Sequence, residues 1–70
     1  MTYYAKARKR WRKAEWITGY DGQFALLTWI HKYVFITLCE TREKAIEEAK
    51  TWTSPPDFNI HHEIIDLSTD

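Results

Sequence analysis

Six cationic side chains stand close together near the start of the chain, where they could bind phosphates or an acidic protein surface. They are Lys6, Arg8, Lys9, Arg10, Arg12 and Lys13, with Trp11 among them. Contacts from Lys and Arg to phosphate give affinity without sequence preference, and an indole ring can stack on a base. These residues therefore predict a surface for nucleic acid or an acidic partner. A solvated tail, or an arm folded back on its own acidic body, would explain the same charges.

The consecutive residues His61, His62 and Glu63 have side chains that commonly ligate metal ions. On a strand, His61 and His62 point to opposite faces, so they cannot share one ion without a bulge. His61 and Glu63 share a face, but a zinc site normally has three or four protein ligands. We therefore expect no metal and no other cofactor, and a histidine pair that is solvated or hydrogen-bonded.

Cys39 is the one cysteine and the one obvious candidate for a nucleophile. It ends an apolar run beside Glu40, and that environment would raise the thiol pKa and make the thiolate scarce. The two glycines, Gly19 and Gly22, do not form a phosphate-binding loop. A chain of 70 residues also rarely encloses a deep pocket while keeping a core. The sequence thus predicts no catalytic residues and a protein that is not an enzyme.

The charges divide the chain into two parts of opposite sign. Residues 1–13 hold six of the ten basic residues and no acid, whereas residues 14–70 hold the other four and all ten acids. We read 1–13 as a basic N-terminal arm and 14–70 as a single α+β domain. A lone cysteine, no signal-like start and no long apolar stretch predict a soluble cytoplasmic protein that does not enter a membrane.

The elements that must position these residues follow from short apolar runs. Runs rich in β-branched and aromatic residues predict strands at 14–20, 24–30, 33–39 and 59–67. Asp21-Gly22 predicts a tight hairpin between the first two, and His31-Lys32 a second turn. Thr41 can cap a helix at 42–52, which Pro55-Pro56 would end. The prediction is an α+β fold, β-β-β-α-β, with a small antiparallel sheet and one helix packed on one face.

Alternation along the first three strands makes both faces of this sheet apolar. One face carries Trp16, Tyr20, Ala25, Leu27, Trp29, Val34, Ile36 and Leu38. The second face carries Ile17, Phe24, Leu26, Ile30, Tyr33 and Phe35. One helix covers one face, so the residues of the second face are predicted to form a protein interface.

Three arrangements would bury the second face. The basic arm could fold as a short helix with Tyr4, Ala7 and Trp11 against the sheet. Two chains could pair sheet against sheet as a homodimer. A partner protein could cover the face, since monomers rarely leave large apolar areas exposed.

Several short motifs resemble those of small uncharacterised proteins of actinobacteria and their phages. They are Trp16, Gly19, Gly22, Thr41 at the start of an Ala-bearing helix, and His62-Glu63-Ile64-Ile65. The resemblance spans residues 16–67. Members often have cysteines before the His-Glu-Ile segment, where this chain has Pro55 to Asn59, so no metal or disulfide role carries over. The resemblance implies a phage accessory protein, a class that commonly binds and blocks host machinery.

The sequence therefore favours a non-enzymatic, phage-type interaction protein that binds and modulates a host protein in the host cytoplasm. It would use the second face or the basic arm. One alternative is a nucleic-acid-binding protein that uses the arm. Another is a structural subunit of a homo-oligomeric or phage assembly.

Overall fold

The computed structural model describes residues 2–19, 21–52 and 59–69 and confirms the α+β class. A helix, α1 (Tyr3–Arg10), precedes three strands, β1 (Trp16–Gly19), β2 (Phe24–Ile30) and β3 (Tyr33–Cys39). A second helix, α2 (Arg42–Thr51), a fourth strand, β4 (Ile60–Asp66), and a short 3-10 turn (Leu67–Thr69) complete the chain. The predicted arm helix is α1. No described helix is both long and apolar enough to cross a membrane.

The sheet has the strand order β1-β3-β2-β4 and is mixed, not antiparallel throughout. β1 runs parallel to β3, whereas β2 is antiparallel to both β3 and β4. The predicted hairpin at Asp21-Gly22 is therefore wrong, because β3 lies between β1 and β2. The connection from β1 to β2 crosses the end of β3, where a Cβ on Gly22 would collide with the carbonyl group of Cys39.

The predicted turn at His31-Lys32 does join two paired strands. Ile30 lies opposite Tyr33, so the turn contains two residues, as the alternation requires. His31 has a φ of 55°, in the left-handed region that such a turn uses.

Each helix covers one face of the sheet. Ala7 of α1 is fully buried in a cluster with Ala25, Leu27, Val34, Ile36, Leu38 and Leu67. We call this side the α1 face. On the other side, the α2 face, Ala45 packs with Leu26 and Cys39. The arm helix thus covers the opposite face from the one predicted, and the α2 helix covers part of the predicted second face.

Two further details of packing differ from the prediction. Tyr3, not Tyr4, joins Ala7 and Trp11 at the α1 face, and Tyr4 is exposed. Ile17 pairs with Ile36 and Trp16 with Phe35, so their predicted faces are exchanged. The incorrect hairpin prediction caused this exchange, because the face of each β1 residue was inferred from the supposed two-residue turn at Asp21-Gly22. Tyr20 and Pro55-Pro56, which also entered the prediction, lie outside the described residues.

Both helices begin at a threonine cap. The Oγ1 of Thr2 accepts a hydrogen bond from Ala5 N at 3.0 Å, and that of Thr41 accepts one from Lys44 N at 3.1 Å. The last turn of α1 contains Arg8, Lys9 and Arg10. Cations at that end interact favourably with the helix dipole, so the charged arm is a good helix in spite of its self-repulsion.

Candidate binding surfaces

The end of α1 and the residues after it present most of the cations of the arm to solvent. Arg8, Lys9, Arg10, Arg12 and Lys13 are all exposed. The helix itself is held in place because Ala7, on its opposite side, is buried in the core. The arm is therefore a folded part of the domain surface, and the solvated-tail interpretation does not apply to it.

Lys32 joins these cations although it is far from them in the sequence. An open groove of about 650 Å³ is lined by Lys9, Arg10, Trp11, Arg12, Lys13, Ala14, Trp29, Lys32 and Val34. Five of these side chains are cationic, and none of the described residues that line the groove is acidic. We define the basic surface as Arg8, Lys9, Arg10, Arg12, Lys13 and Lys32. Sequence reasoning missed Lys32, and only the β2–β3 turn beside the C-terminal end of α1 reveals it.

A second groove lies on the other flank of α1. It has a volume of about 790 Å³ and is lined by Tyr4, Ala5, Arg8, Lys9, Arg12, Ala14 and Glu15. Lys9 and Arg12 line both grooves, so they stand on the ridge between them. Glu15 places one carboxylate on this second flank, which makes it less positive than the first.

Two predicted binding residues have structural contacts within the fold. The Lys6 ammonium donates a hydrogen bond to the Leu67 carbonyl at 3.3 Å and lies 5.9 Å from the Tyr3 ring centroid. Trp11 packs against the core, and the Arg10 guanidinium lies 4.8 Å from its ring centroid. Lys6 thus ties α1 to the C-terminal turn. With one ring face covered by Arg10, Trp11 is poorly placed to stack on a base.

The structure divides the six predicted interface residues among four places. Ile17 lies on the α1 face, and Leu26 is fully buried beside Ala45. Phe24 is half-buried, with the Arg42 guanidinium 5.6 Å from its ring centroid. Ile30, Tyr33 and Phe35 remain together on the α2 face, at the end of the sheet near the β2–β3 turn.

An aromatic cluster that the sequence did not predict adjoins this trio. The Phe35 ring lies 4.5 Å from that of Trp16 and 5.8 Å from that of Trp52, between ring centroids. Trp16 is 46% exposed and Tyr33 is 42% exposed. We call Trp16, Tyr33, Phe35 and Trp52 the aromatic surface. The spacing from Ala45 and Ala49 to Trp52, the residue directly after α2, was the available signal for its place.

The side chains of His61 and His62 lie on opposite faces of the sheet, as their consecutive positions on a strand predict. His61 lies opposite Trp29 and His62 opposite Thr28, on the two different faces. The Nδ1 of His62 is 3.1 Å from the Oγ1 of Thr28, within hydrogen-bond distance. Burial lowers the pKa of His62, and the charge of His61 lowers it further. No group of three or more potential metal ligands occurs in the described part of the chain.

Cys39 is buried at the end of β3, and burial raises the pKa of its thiol, as the sequence predicts. The carboxylate of Glu48 raises this pKa further and the ammonium of Lys44 opposes it. From the sequence we expected Glu40 to be the acidic residue beside Cys39. The fold that brings Glu48 of α2 close to Cys39 depends on tertiary structure, which the sequence does not reveal. A raised pKa makes the reactive thiolate scarcer.

These features define a small α+β domain with a mixed four-stranded sheet between two helices and with two distinct candidate binding surfaces. Comparisons with protein families, with curated proteins and with solved structures find no match for the chain.

Proposed function

We propose that this chain is a non-enzymatic protein that binds nucleic acid through the phosphate backbone. The observation that carries the proposal is the first groove, where five cations from two distant segments converge with no acidic residue among the described lining. The chain has ten basic and ten acidic residues, and six of the ten basic ones lie together on the basic surface. Such charge separation is the electrostatic footprint of a polyanion binder.

The geometry of the groove favours phosphates over bases as the groups that are bound. Trp11 and Trp29 are half-buried and pack against the core, so they form the floor of the groove and do not project as stacking platforms. The exposed groups are ammonium and guanidinium ions, which bind phosphate oxygens without reading sequence. We therefore expect binding of similar strength to different sequences, with a strong dependence on salt.

Fluorescence anisotropy with labelled duplex and single-stranded oligonucleotides over a series of salt concentrations tests this proposal. If about four or five phosphates are neutralised, log K should fall with log salt at a slope of about −4 for duplex DNA. The same contacts give a slope of about −3 on a single strand, so tighter binding of one form at equal salt identifies that form as the ligand. Absence of salt-dependent binding to either form would overturn the proposal.

Matched lysine variants locate the site. Lys9→Ala and Lys32→Ala should each weaken binding and reduce the salt slope by about 1, because each removes one phosphate contact. Lys50→Ala has the same charge change on the exposed side of α2 and should leave the slope unchanged. Equal losses in all three variants would indicate a diffuse charge effect and contradict the groove as the site.

The aromatic surface supports a second candidate function, the binding of a host protein by a phage-type accessory protein in the cytoplasm. The supporting observation is that Trp16 and Tyr33, both large, are more than two-fifths exposed beside Phe35. Aromatic residues of this kind are frequent anchors of protein interfaces.

Substitutions on opposite sides of the sheet separate the two candidate functions. Trp16→Ser should abolish a protein complex that survives nuclease treatment and leave oligonucleotide binding intact, whereas Lys9→Ala should do the reverse. Loss of oligonucleotide binding in Trp16→Ser with the fold intact would contradict this assignment of surfaces.

A further inference from the structure

The outer edge of β4 has backbone groups available for another strand. β4 is seven residues long and is an edge of the sheet, and no described residue pairs with its outer side. Leu67 N–H donates to the Gln23 carbonyl at 2.8 Å, which continues the pairing of β4 with β2. Because these groups alternate along a strand, those of Ile60, His62 and Ile64 point outward. A long edge of this kind is a template for strand addition.

We propose that β4 pairs with β4 of a second copy of this chain, antiparallel and centred on His62. In this register Ile60 of one copy lies opposite Ile64 of the other, which joins two apolar side chains on the α2 face. On the α1 face, His61 of each copy lies opposite Glu63 of the other, and both side chains are exposed and able to hydrogen-bond. Cross-strand pairs of these kinds stabilise a sheet.

The neighbouring registers are less favourable. Centring the pair on His61 places the two His61 side chains opposite each other and leaves Glu63 opposite Asn59. Centring the pair on Glu63 places the two Glu63 carboxylates directly opposite each other, and like charges in that position destabilise a sheet. Centring it on Ile64 places Glu63 against Ile65 and leaves His61 without a carboxylate opposite. A second copy is therefore the partner that β4 itself complements, because Ile60 pairs with Ile64 and His61 with Glu63 across the two-fold axis.

The proposed pairing has a consequence for the basic surface. A two-fold axis through the paired His62 residues stands perpendicular to the sheet, so equivalent faces of the two copies lie on the same side. Both α1 helices would then stand on one face of a continuous eight-stranded sheet. The dimer would present two copies of the basic surface to one ligand, although the pairing does not depend on what that surface binds.

Sedimentation velocity on nucleic-acid-free protein, from low micromolar to near-millimolar concentration, measures the pairing. The mass should rise from 8.4 kDa toward twice that value, since one strand pair is a small interface and gives a weak dimer. In parallel, hydrogen exchange of the Ile60, His62 and Ile64 amides should slow with concentration. A protein that stays monomeric at every concentration would overturn the proposal. A dimer in which hydrogen exchange at these amides does not change with concentration would also overturn it.

A charge exchange on exposed positions tests the register. Glu63→Lys should weaken dimerisation about tenfold, because both cross-strand pairs are lost. Adding His61→Glu should restore it, since the lysine introduced at position 63 of each copy would then face a carboxylate. Glu47→Lys on α2 has the same charge change away from β4 and should have no effect. A dimer that is insensitive to Glu63→Lys, or that the second substitution does not rescue, would contradict the register.

Discussion

The carboxylate of Asp21 accepts a hydrogen bond from the backbone N–H of Tyr4 at 2.6 Å, across seventeen positions of the chain. The N–H groups in the first turn of a helix have no partner within the helix, and the positive end of the helix dipole lies there. A carboxylate from the β1–β2 connection therefore meets the start of α1. This contact links the basic helix to the loop that crosses the end of β3.

We expect Asp21→Ala to destabilise the protein by about 0.5–2 kcal/mol, the range for loss of a helix cap. Asp21→Asn keeps an acceptor oxygen and loses only the charge, so its cost should be smaller, about 0.3–1 kcal/mol. Urea denaturation followed by circular dichroism measures both. Equal midpoints for Asp21→Ala and the unsubstituted protein would show that the contact contributes nothing.

We expect substitution of Gly22 to destabilise the protein because this residue lies directly against the backbone at the end of β3, and not because a turn requires glycine there. A Cβ at this residue would overlap the backbone of Cys39 and Glu40, which cannot move without displacing the end of β3. Gly22→Ala should therefore cost at least the roughly 1–3 kcal/mol that is typical of overpacking. Ala5→Gly, on the exposed side of α1, is a control that costs only helix propensity, about 1 kcal/mol. A Gly22→Ala protein as stable as the unsubstituted one would contradict the close approach.

Asp21 and Gly22 also show why the sequence predicted the strands but not their order. An Asp-Gly pair between apolar runs is the pattern of a hairpin, yet here Asp21 accepts a hydrogen bond from the first turn of α1 and Gly22 passes over β3. Both roles depend on residues that are remote in the sequence, so no local pattern can reveal them. The alternation of side chains along β2 and β3 predicted their faces and their pairing correctly, because the register of these two strands depends on a local turn at His31-Lys32.

The sequence likewise predicted part of the candidate site, the cations of the arm, but not the residues that tertiary structure adds to it. The cations of residues 8–13 form the basic surface because their exposure needs only a helix with one apolar side, which Ala7 and Trp11 indicate. Lys32 and the contact of Lys6 with Leu67 depend on tertiary structure, and sequence could show neither. Trp16 was assigned to the wrong face through the hairpin, so its cluster with Phe35 was missed.

The stability of the protein should decrease in mildly acidic solution because of His62. Its pKa is lowered from the ordinary 6.5 in the folded state, so the unfolded chain binds the proton more readily. The stability that neutral His62 provides is therefore complete above pH 6.5 and is lost as the pH falls through the lower, folded-state pKa. Urea midpoints measured on both sides of this interval, above the range where carboxylates titrate, should show the decrease.

Two substitutions assign this pH dependence to a residue. His62→Gln removes the titrating group and should flatten the decrease, at the cost of the contact with Thr28. His61→Gln removes only the smaller cause of the shift and should flatten it slightly. A decrease that persists unchanged in His62→Gln would place its origin elsewhere.

Removal of the basic arm should unfold the domain and not merely weaken binding. Ala7 is fully buried against Leu27, Ile36 and other residues of the α1 face, which residues 14–70 alone would leave exposed to water. Full burial of a side chain such as Leu27 or Ile36 contributes about 1.5–3 kcal/mol, and at roughly 0.05–0.15 kcal/mol per residue a domain of this size has only about 4–10 kcal/mol in total. A fragment of residues 14–70 should thus show no cooperative urea transition and a weak near-ultraviolet circular dichroism signal.

The double variant Arg8→Ala with Lys9→Ala, made in the chain of 70 residues, is the appropriate comparison for that fragment. Both side chains are exposed, and alanine is the best helix former, so its urea midpoint should match that of the unsubstituted protein. Loss of nucleic-acid binding in this variant would then report on charge alone, whereas loss in the fragment would report on unfolding as well. A fragment with a native-like urea midpoint would instead show that α1 is dispensable, and the arm would be a separate unit attached to an independent sheet.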